Sequence, residues 1–255
     1  MEEKKNPKVK TELFNFGPWH ITASTGPILT SVQDDDMRAQ LDLPALPEMC
    51  FGDTKLEVKH SQGFGLSFNA MDALRRVDNK KDTMKVAYAA EWQKERQSVQ
   101  ISTEVAKPFD WTYTTDFSGT VLGEDKVQVG ATTDKIDIEK LKRQEKIHFY
   151  QDMMLFEDEL ADNGIAKLTV KMRVMPSSFF ILLRFFLRVD DVLIRINDTR
   201  VYHEAGTDFI LSEFSSKEKM MNKMRNPHGD ENVVAQELDL VTETFTKIQF
   251  SENTT

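Results

Sequence analysis

The residues best equipped for chemistry are few and scattered. Tyr202-His203-Glu204 sets a phenol, an imidazole and a carboxylate side by side, and an imidazole next to a carboxylate could exchange protons near neutral pH. Neighbours on a strand point to opposite faces, however, so the three groups do not converge, and a structural histidine is the expectation. Glu157, Asp158 and Glu159 form a second cluster in which residues 157 and 159 share one strand face and could pair as acid and base. A run of this kind just before a hairpin turn reads as a solvated face. The triple Asp34-Asp35-Asp36 could hold a metal, but at a helix start it serves capping and dipole compensation. Gly63-Phe64-Gly65 lacks the third glycine of a dinucleotide site and reads as a turn. His20, His60, His148, His203 and His228 stand at no metal-ligand spacing, and the chain carries neither a phosphate-binding loop nor a nucleophile elbow. Phe109, Trp111 and Tyr113 would lie on one face of a strand and could stack on a sugar or base; core packing is the expected use. Met220, Met221 and Met224 could give an adaptable partner surface or a core-facing stripe. No catalytic residue, metal or cofactor is expected.

Charge singles out a different region. Residues 165–204 carry Lys167, Lys171, Arg173, Arg184, Arg188, Arg195 and Arg200 against Asp190, Asp191, Asp198 and Glu204. That is a local balance of +3 inside a chain of net charge -9, so a local basic surface for an anionic partner is the natural inference. Arg184, Arg188, Arg195 and Arg200 could supply guanidinium forks to such a partner, or they could form cross-strand ion pairs with Asp190, Asp191 and Asp198. The acidic total excludes a general nucleic-acid binder. Cys50 is the sole cysteine and sits between Met49 and Phe51, so a buried, inert thiol is expected, with no disulfide or thiolate cluster. The longest apolar run, Phe179 to Val189, is cut by Arg184 and Arg188 and falls short of the roughly 20 residues of a membrane span. The charged start lacks a signal-peptide core, and a cytosolic or nuclear, monomeric protein with neither nucleic-acid nor membrane partner is expected.

The elements that must position these groups are mostly strands. Residues 1–12 and 251–255 read as disordered tails around a single domain at 13–250. Phe14 to Ile21 opens the fold with a bend at Gly17-Pro18. Residues 34–43 suit a short helix capped by Asp34 or Asp35, 55–60 and 66–68 a hairpin, and 71–77, 85–96 and 137–147 short helices. Residues 108–119, rich in aromatic and β-branched types, read as a strand. Around Asn163-Gly164 a type I′ hairpin turn is predicted, because Leu168, Val170, Met172 and Val174 alternate with Lys167, Thr169, Lys171 and Arg173 until Pro176 ends the ladder. Phe179 to Val189 could be a helix capped by Ser177 or Ser178; a strand of a second hairpin with Val192, Ile194 and Ile196 is favoured. The result is an antiparallel meander across 153–204 in an α+β fold flanked by short helices. A further strand at 208–214, an amphipathic helix at 216–225 and a loop at 226–232 complete the reading.

Several blocks also resemble one family. FGPW (16–19), LPEMCFGD (46–53), KPFDWTYTTDFSGT (107–120), TTDKIDIEKLK (132–142), LFEDELADNG (155–164) and the whole of 170–204 are similar, in collinear order, to the TIPRL family of TOR signalling pathway regulators. The likeness covers about residues 14–210, and the segment after about residue 215 has no clear counterpart. It implies a compact α+β domain and a non-enzymatic regulator of the catalytic subunits of type 2A, 4 and 6 serine/threonine phosphatases. It further implies a cleft for their C-terminal tail, with a Tap-forty-two/alpha-four-type regulator as a further partner. The family's cleft positions fall on Asp72, Ile136, Ile196 and Asp198, and Asp198 would orient Arg195 or Arg200 or accept a backbone N–H. The residues themselves leave two rivals: a small hydrolase using the Glu157–Glu159 or His203 cluster, and a scaffold binding other regulators.

Overall fold

The computed structural model describes residues 9–77 and 111–250. The helix expected at 85–96, Phe109, residues 1–8 and residues 251–255 lie outside them. Two antiparallel sheets make up the fold. The smaller joins β1 (Lys10–Phe16), β2 (Trp19–Thr25), β4 (Lys55–His60), β5 (Gly65–Asn69) and β6 (Thr120–Leu122) in the order β1-β2-β4-β5-β6. The larger contains β3 (Met49–Cys50), β7 (Val127–Ala131), β8 (Phe149–Asp158), β9 (Gly164–Val174), β10 (Ser178–Val189), β11 (Leu193–Glu204), β12 (Phe209–Met220) and β13 (Asp239–Phe250). Its order is β3-β8-β9-β10-β11-β12-β13-β7, with β8 to β11 forming the meander. Helices are short: α1 (Ser31–Leu41), α2 (Ala70–Leu74), α3 (Ile138–Lys142) and α4 (Glu231–Glu237).

Alternation sets the faces. Leu168, Val170, Met172 and Val174 of β9 are buried, as are Phe179, Ile181, Leu183, Phe185 and Leu187 of β10, because every second side chain of a strand meets the same neighbour. They pack with Trp19, Leu56 and Phe68 of the small sheet. Trp19 joins the two sheets, its ring edge-on to Phe64 at 5.6 Å, Phe179 at 5.6 Å and Phe250 at 5.7 Å. Each fully buried large apolar side chain contributes about 1.5–3 kcal/mol relative to exposure, which makes this inter-sheet layer the main source of stability.

Several local expectations are overturned. Residues 10–12, placed in a tail, belong to β1 and pair with Thr25, Ser24 and Ala23. The cap of α1 is Thr30 rather than Asp34 or Asp35: its hydroxyl accepts from the Gln33 N–H while the Gln33 side chain accepts from the Thr30 N–H, a reciprocal capping box. Residues 111–119 form no strand; Tyr113 adopts φ 55° and donates its hydroxyl to the Leu46 carbonyl at 2.9 Å, and Trp111 and Tyr113 are buried. The expected helix at 137–147 shrinks to α3, capped by Asp137. The expected helix at 216–225 is instead the end of β12 followed by one 3-10 turn at Met221–Lys223, and α4 begins inside the expected loop, capped by Asp230.

The Asn163-Gly164 connection also differs from the two-residue type I′ turn. Residues 159–163 intervene between β8 and β9, with Leu160, Ala161 and Asp162 at φ 54°, 52° and 63°. Each such left-handed non-glycine residue costs roughly 1 kcal/mol. Local polar groups hold the loop: Asp158 accepts from the Leu160 N–H at 2.6 Å, and the Asn163 amide donates to the Leu160 and Ala161 carbonyls at 2.7 and 2.9 Å. Gly164 is required for another reason, since at its φ of +143° a Cβ would stand 1.9 Å from the Arg188 carbonyl oxygen on β10.

Candidate functional site

The large sheet has a second face, directed away from the small sheet. On β11 the odd positions face inward: the Asn197 amide donates to the Thr115 carbonyl at 2.8 Å, and His203 accepts from the Trp19 indole N–H at 3.0 Å. Even positions Ile194, Ile196, Asp198, Arg200 and Tyr202 therefore line the outer face, together with Phe180, Arg184, Phe186 and Arg188 of β10 in register beside them. Two apolar clusters cover this face. At one end Phe186, Ile194 and Ile196 pack with Met221 of the 3-10 turn, Val234 of α4 and Leu238 just after it. At the other, Ile136 packs with Tyr202 and Leu211, supported by Leu141, Phe180 and Phe209.

A groove of about 250 Å³ opens on this face beside α4. Arg184 and Asp198, directly opposite in the β10–β11 register, form its fixed point. Arg184 Nε and Nη2 donate to the two Asp198 oxygens, both at 2.8 Å, and Nη1 donates to Asn232 Oδ1 at 3.1 Å. Both side chains are largely shielded, at 12% and 8% exposure. Burial works against the guanidinium charge, but hydrogen bonding to Asp198 and its negative charge more than offset that and hold the Arg184 pKa above its ordinary value. Arg200, Ser215 and Lys217 complete the floor, and none of the three side chains makes a hydrogen bond or ion pair among the described residues.

Four of the eight residues proposed from the sequence thus converge: Arg184, Ile196, Asp198 and Arg200 all line this groove. The other four do not line it. Ile136 is buried in the neighbouring cluster and donates its backbone N–H to Glu213 at 2.7 Å. Arg188 shares the outer face but is paired with Asp190 at 2.7 Å. Arg195 points to the opposite face, where Glu218 and Thr114 take its N–H groups. Asp72 sits on α2 and accepts from Thr120 at 2.7 Å, Asn69 at 2.9 Å and Arg75 at 2.6 Å. Burial raises its pKa, but those donors outweigh burial and hold the carboxyl below the usual value. Asp198 therefore orients Arg184, not Arg195 or Arg200. Sequence reasoning missed Ser215, Lys217 and Asn232 because it ended the strand at residue 214 and placed a helix and a loop beyond it.

The remaining chemical candidates have structural partners. His203 Nε2 faces the Trp19 N–H and Nδ1 lies 2.9 Å from the Phe209 carbonyl oxygen, so the neutral ring donates from Nδ1 and accepts at Nε2. Asp158, expected on a solvated run, is buried and also accepts from the Glu48 N–H at 3.0 Å. Burial pushes the Cys50 thiol up to about 12, in keeping with an inert side chain. Met221 is buried and Met224 packs beside it, while Met220 is exposed. Among the described residues no group of three or more His, Cys, Asp or Glu could hold a metal.

Comparison with known proteins gives the family of the chain. The model of the TIP41-like family matches residues 49–225, which takes in the groove floor from Arg184 to Lys217. The chain belongs to the TIP41-like family. Among its relatives, the TIP41-like protein of Homo sapiens is 51% identical over 244 residues, covering 94% of this chain and 90% of the relative. The type 2A phosphatase activator TIP41 of Saccharomyces cerevisiae is 36% identical over 264 residues, covering 92% of this chain and 74% of the relative. The type 2A phosphatase activator tip41 of Schizosaccharomyces pombe is 31% identical over 252 residues, covering 94% and 99%. The resemblance drawn from the sequence blocks is borne out, and the family match runs to residue 225, past residue 204 where the last of those blocks ends and into the segment after about 215 that showed no clear counterpart.

Proposed function

We propose that this chain is a non-enzymatic regulator that binds the catalytic subunits of type 2A-family serine/threonine phosphatases. The names of the two yeast relatives support type 2A itself; extension to types 4 and 6, to TOR signalling and to a Tap-forty-two/alpha-four-type co-regulator follows the sequence resemblance. We include in this proposal a monomer located in the cytoplasm or nucleus, which follows the reading of the sequence alone. The observation that carries the reading is the groove on the outer face: a fixed Arg184–Asp198 pair, with Arg200 and Lys217 beside it. Apolar clusters lie at both ends of that face. An acidic, aromatic C-terminal tail matches such a surface, with anionic groups against the cations and rings against the apolar ends. Capture from cell extract on the immobilised chain, followed by mass spectrometry, tests the partner. Catalytic subunits of types 2A, 4 and 6 should be enriched; their absence would overturn the reading.

A further inference from the structure

The donors in the groove outnumber what a peptide carboxylate needs, and their arrangement has a centre. Ser215 of β12 stands opposite Asp198 in the β11–β12 register, Lys217 opposite Ile196, and Glu213 opposite Arg200. Arg200 and Lys217 are thus the two cationic members of the four diagonal neighbours of the Ser215–Asp198 pair, one on either side, and diagonal positions lie within reach of long side chains. All three side chains line the one groove, and among the described residues none has a hydrogen-bond or ion-pair partner. A third element adds donors from above. A guanidinium can only donate, so Asn232 faces Arg184 with its oxygen and keeps its N–H₂ group available. Gln236, one turn further along α4, also lines the groove.

The carboxylates nearby are already engaged or lie outside. Among the described residues Asp198 is the only one lining the groove, and Arg184 holds both of its oxygens. Glu213 accepts the Ile136 N–H at 2.7 Å, and Glu243, opposite Ser215 on β13, does not line the groove. The Arg184–Asp198 pair makes a rigid, nearly neutral floor, and Arg200 with Lys217 supplies two uncommitted positive charges around a hydroxyl. A planar carboxylate offers two oxygens in one plane, whereas donors here converge from β11, β12 and α4. Three tetrahedrally disposed oxygens carrying nearly two negative charges fit that set better.

We propose that Arg200, Ser215 and Lys217, with Asn232, form a phosphomonoester subsite that reads a phosphorylated side chain of a peptide lying in the groove. This rests on the reading of the groove as a peptide-binding site. It adds a regulatory consequence: phosphorylation of the docked segment strengthens its capture, since the phosphoryl group meets two cations otherwise left with solvent.

Fluorescence-anisotropy titrations of the full chain test the subsite with labelled pentapeptides of the form acetyl-Gly-Phe-phosphoserine-Phe-Gly-amide. An unphosphorylated twin, a second twin ending in a free carboxylate, and inorganic phosphate as competitor complete the set. The phosphopeptide should bind at least about tenfold more tightly than either twin, a ratio expected of charge-assisted bonds to two cations. Arg200→Gln and Lys217→Gln should each remove most of that advantage at unchanged thermal stability, and Arg188→Gln should keep it. Equal binding of the free-acid twin would make this a carboxylate site, and inorganic phosphate binding as tightly as the phosphopeptide would make it a free-anion site; either overturns the proposal. So would retention of the advantage in Arg200→Gln and Lys217→Gln. Capture of a type 2A catalytic subunit is measured in parallel. If the subunit binds while phosphorylation has no effect on peptide affinity, the subsite fails and the phosphatase reading stands. Selective phosphopeptide binding with no capture of the subunit upholds the subsite and sinks the phosphatase reading.

Discussion

Replacing Asp198 by Asn tests whether the Arg184–Asp198 pair is a fixed, shielded unit or one of many surface ion pairs. The wild-type pair has two 2.8 Å hydrogen bonds and side-chain exposures of 12% and 8%. Exposed pairs contribute about 0–1 kcal/mol, whereas removing one partner of a buried pair strands the other charge and costs about 3–5 kcal/mol. Here Arg184 keeps its bond to Asn232 and borders the open groove, so the low end applies, about 3 kcal/mol. For a chain of this size that lowers Tm by about 6–12 °C. Replacing both members with apolar residues, Arg184→Met with Asp198→Val, removes the stranded charge and should return stability to within about 1 kcal/mol of wild type. Urea and thermal unfolding of wild type, Arg184→Met, Asp198→Val and the double variant complete the cycle, with Asp198→Asn measured beside them. A loss below about 1 kcal/mol in Asp198→Asn, or a double variant no better than the single, would refute the shielded-pair argument.

Gly164→Val should destabilise by more than about 2 kcal/mol, because the new Cβ meets the Arg188 carbonyl oxygen at 1.9 Å; wild-type denaturant midpoints would contradict the close approach of β9 to β10. His203→Leu removes the acceptor of the buried Trp19 N–H and should cost about 1–3 kcal/mol, with a change in tryptophan fluorescence that reports the site; an unaltered emission spectrum and stability would count against it. The depressed folded-state pKa of Asp72 stabilises the fold above the unfolded value of about 3.9 and is lost as pH falls through the lower folded value. The stability difference between wild type and Asp72→Asn should therefore shrink as pH drops below about 4, and a difference independent of pH between 7 and 2.5 would refute this (about the range of that titration). The purified chain should turn over no generic phosphate or ester substrate, and turnover abolished by His203→Ala or Glu157→Gln would overturn the non-enzymatic reading.

The part of the fold most legible in the sequence is β9, where one strand face is buried and the other is not. Leu168 to Val174 announces its strand because alternation there follows from packing against the small sheet, whereas Phe179 to Val189 left helix and strand both open, since β10 buries residues on both faces. Residues 216–220 misled because β12 is polar and half-buried on both faces, leaving no period to read, and strand pairing there is set by its neighbours rather than by propensity. The five-residue connection before Gly164 uses left-handed Leu160 and Ala161, residue types that carry no turn signal. Within the site, strand parity alone could have separated Arg195 from Arg200, since odd and even positions face apart. Which acid Arg184 meets was not legible, because the β10–β11 register that sets it opposite Asp198 depends on the whole sheet. Lys217 was hidden by the same helix assignment that hid the end of β12, and Ser215 by the early end of the expected strand at residue 214.

The central claim, that this chain captures a phosphatase catalytic subunit through its tail, reduces to one titration. A purified type 2A catalytic subunit, with and without its C-terminal tail, is titrated into the immobilised chain and the two dissociation constants are compared. Loss of a shielded, charge-assisted contact costs about 2–5 kcal/mol, so removing the tail should weaken binding by roughly 30-fold or more. Equal affinity with and without the tail, or no binding of the intact subunit, would contradict the account.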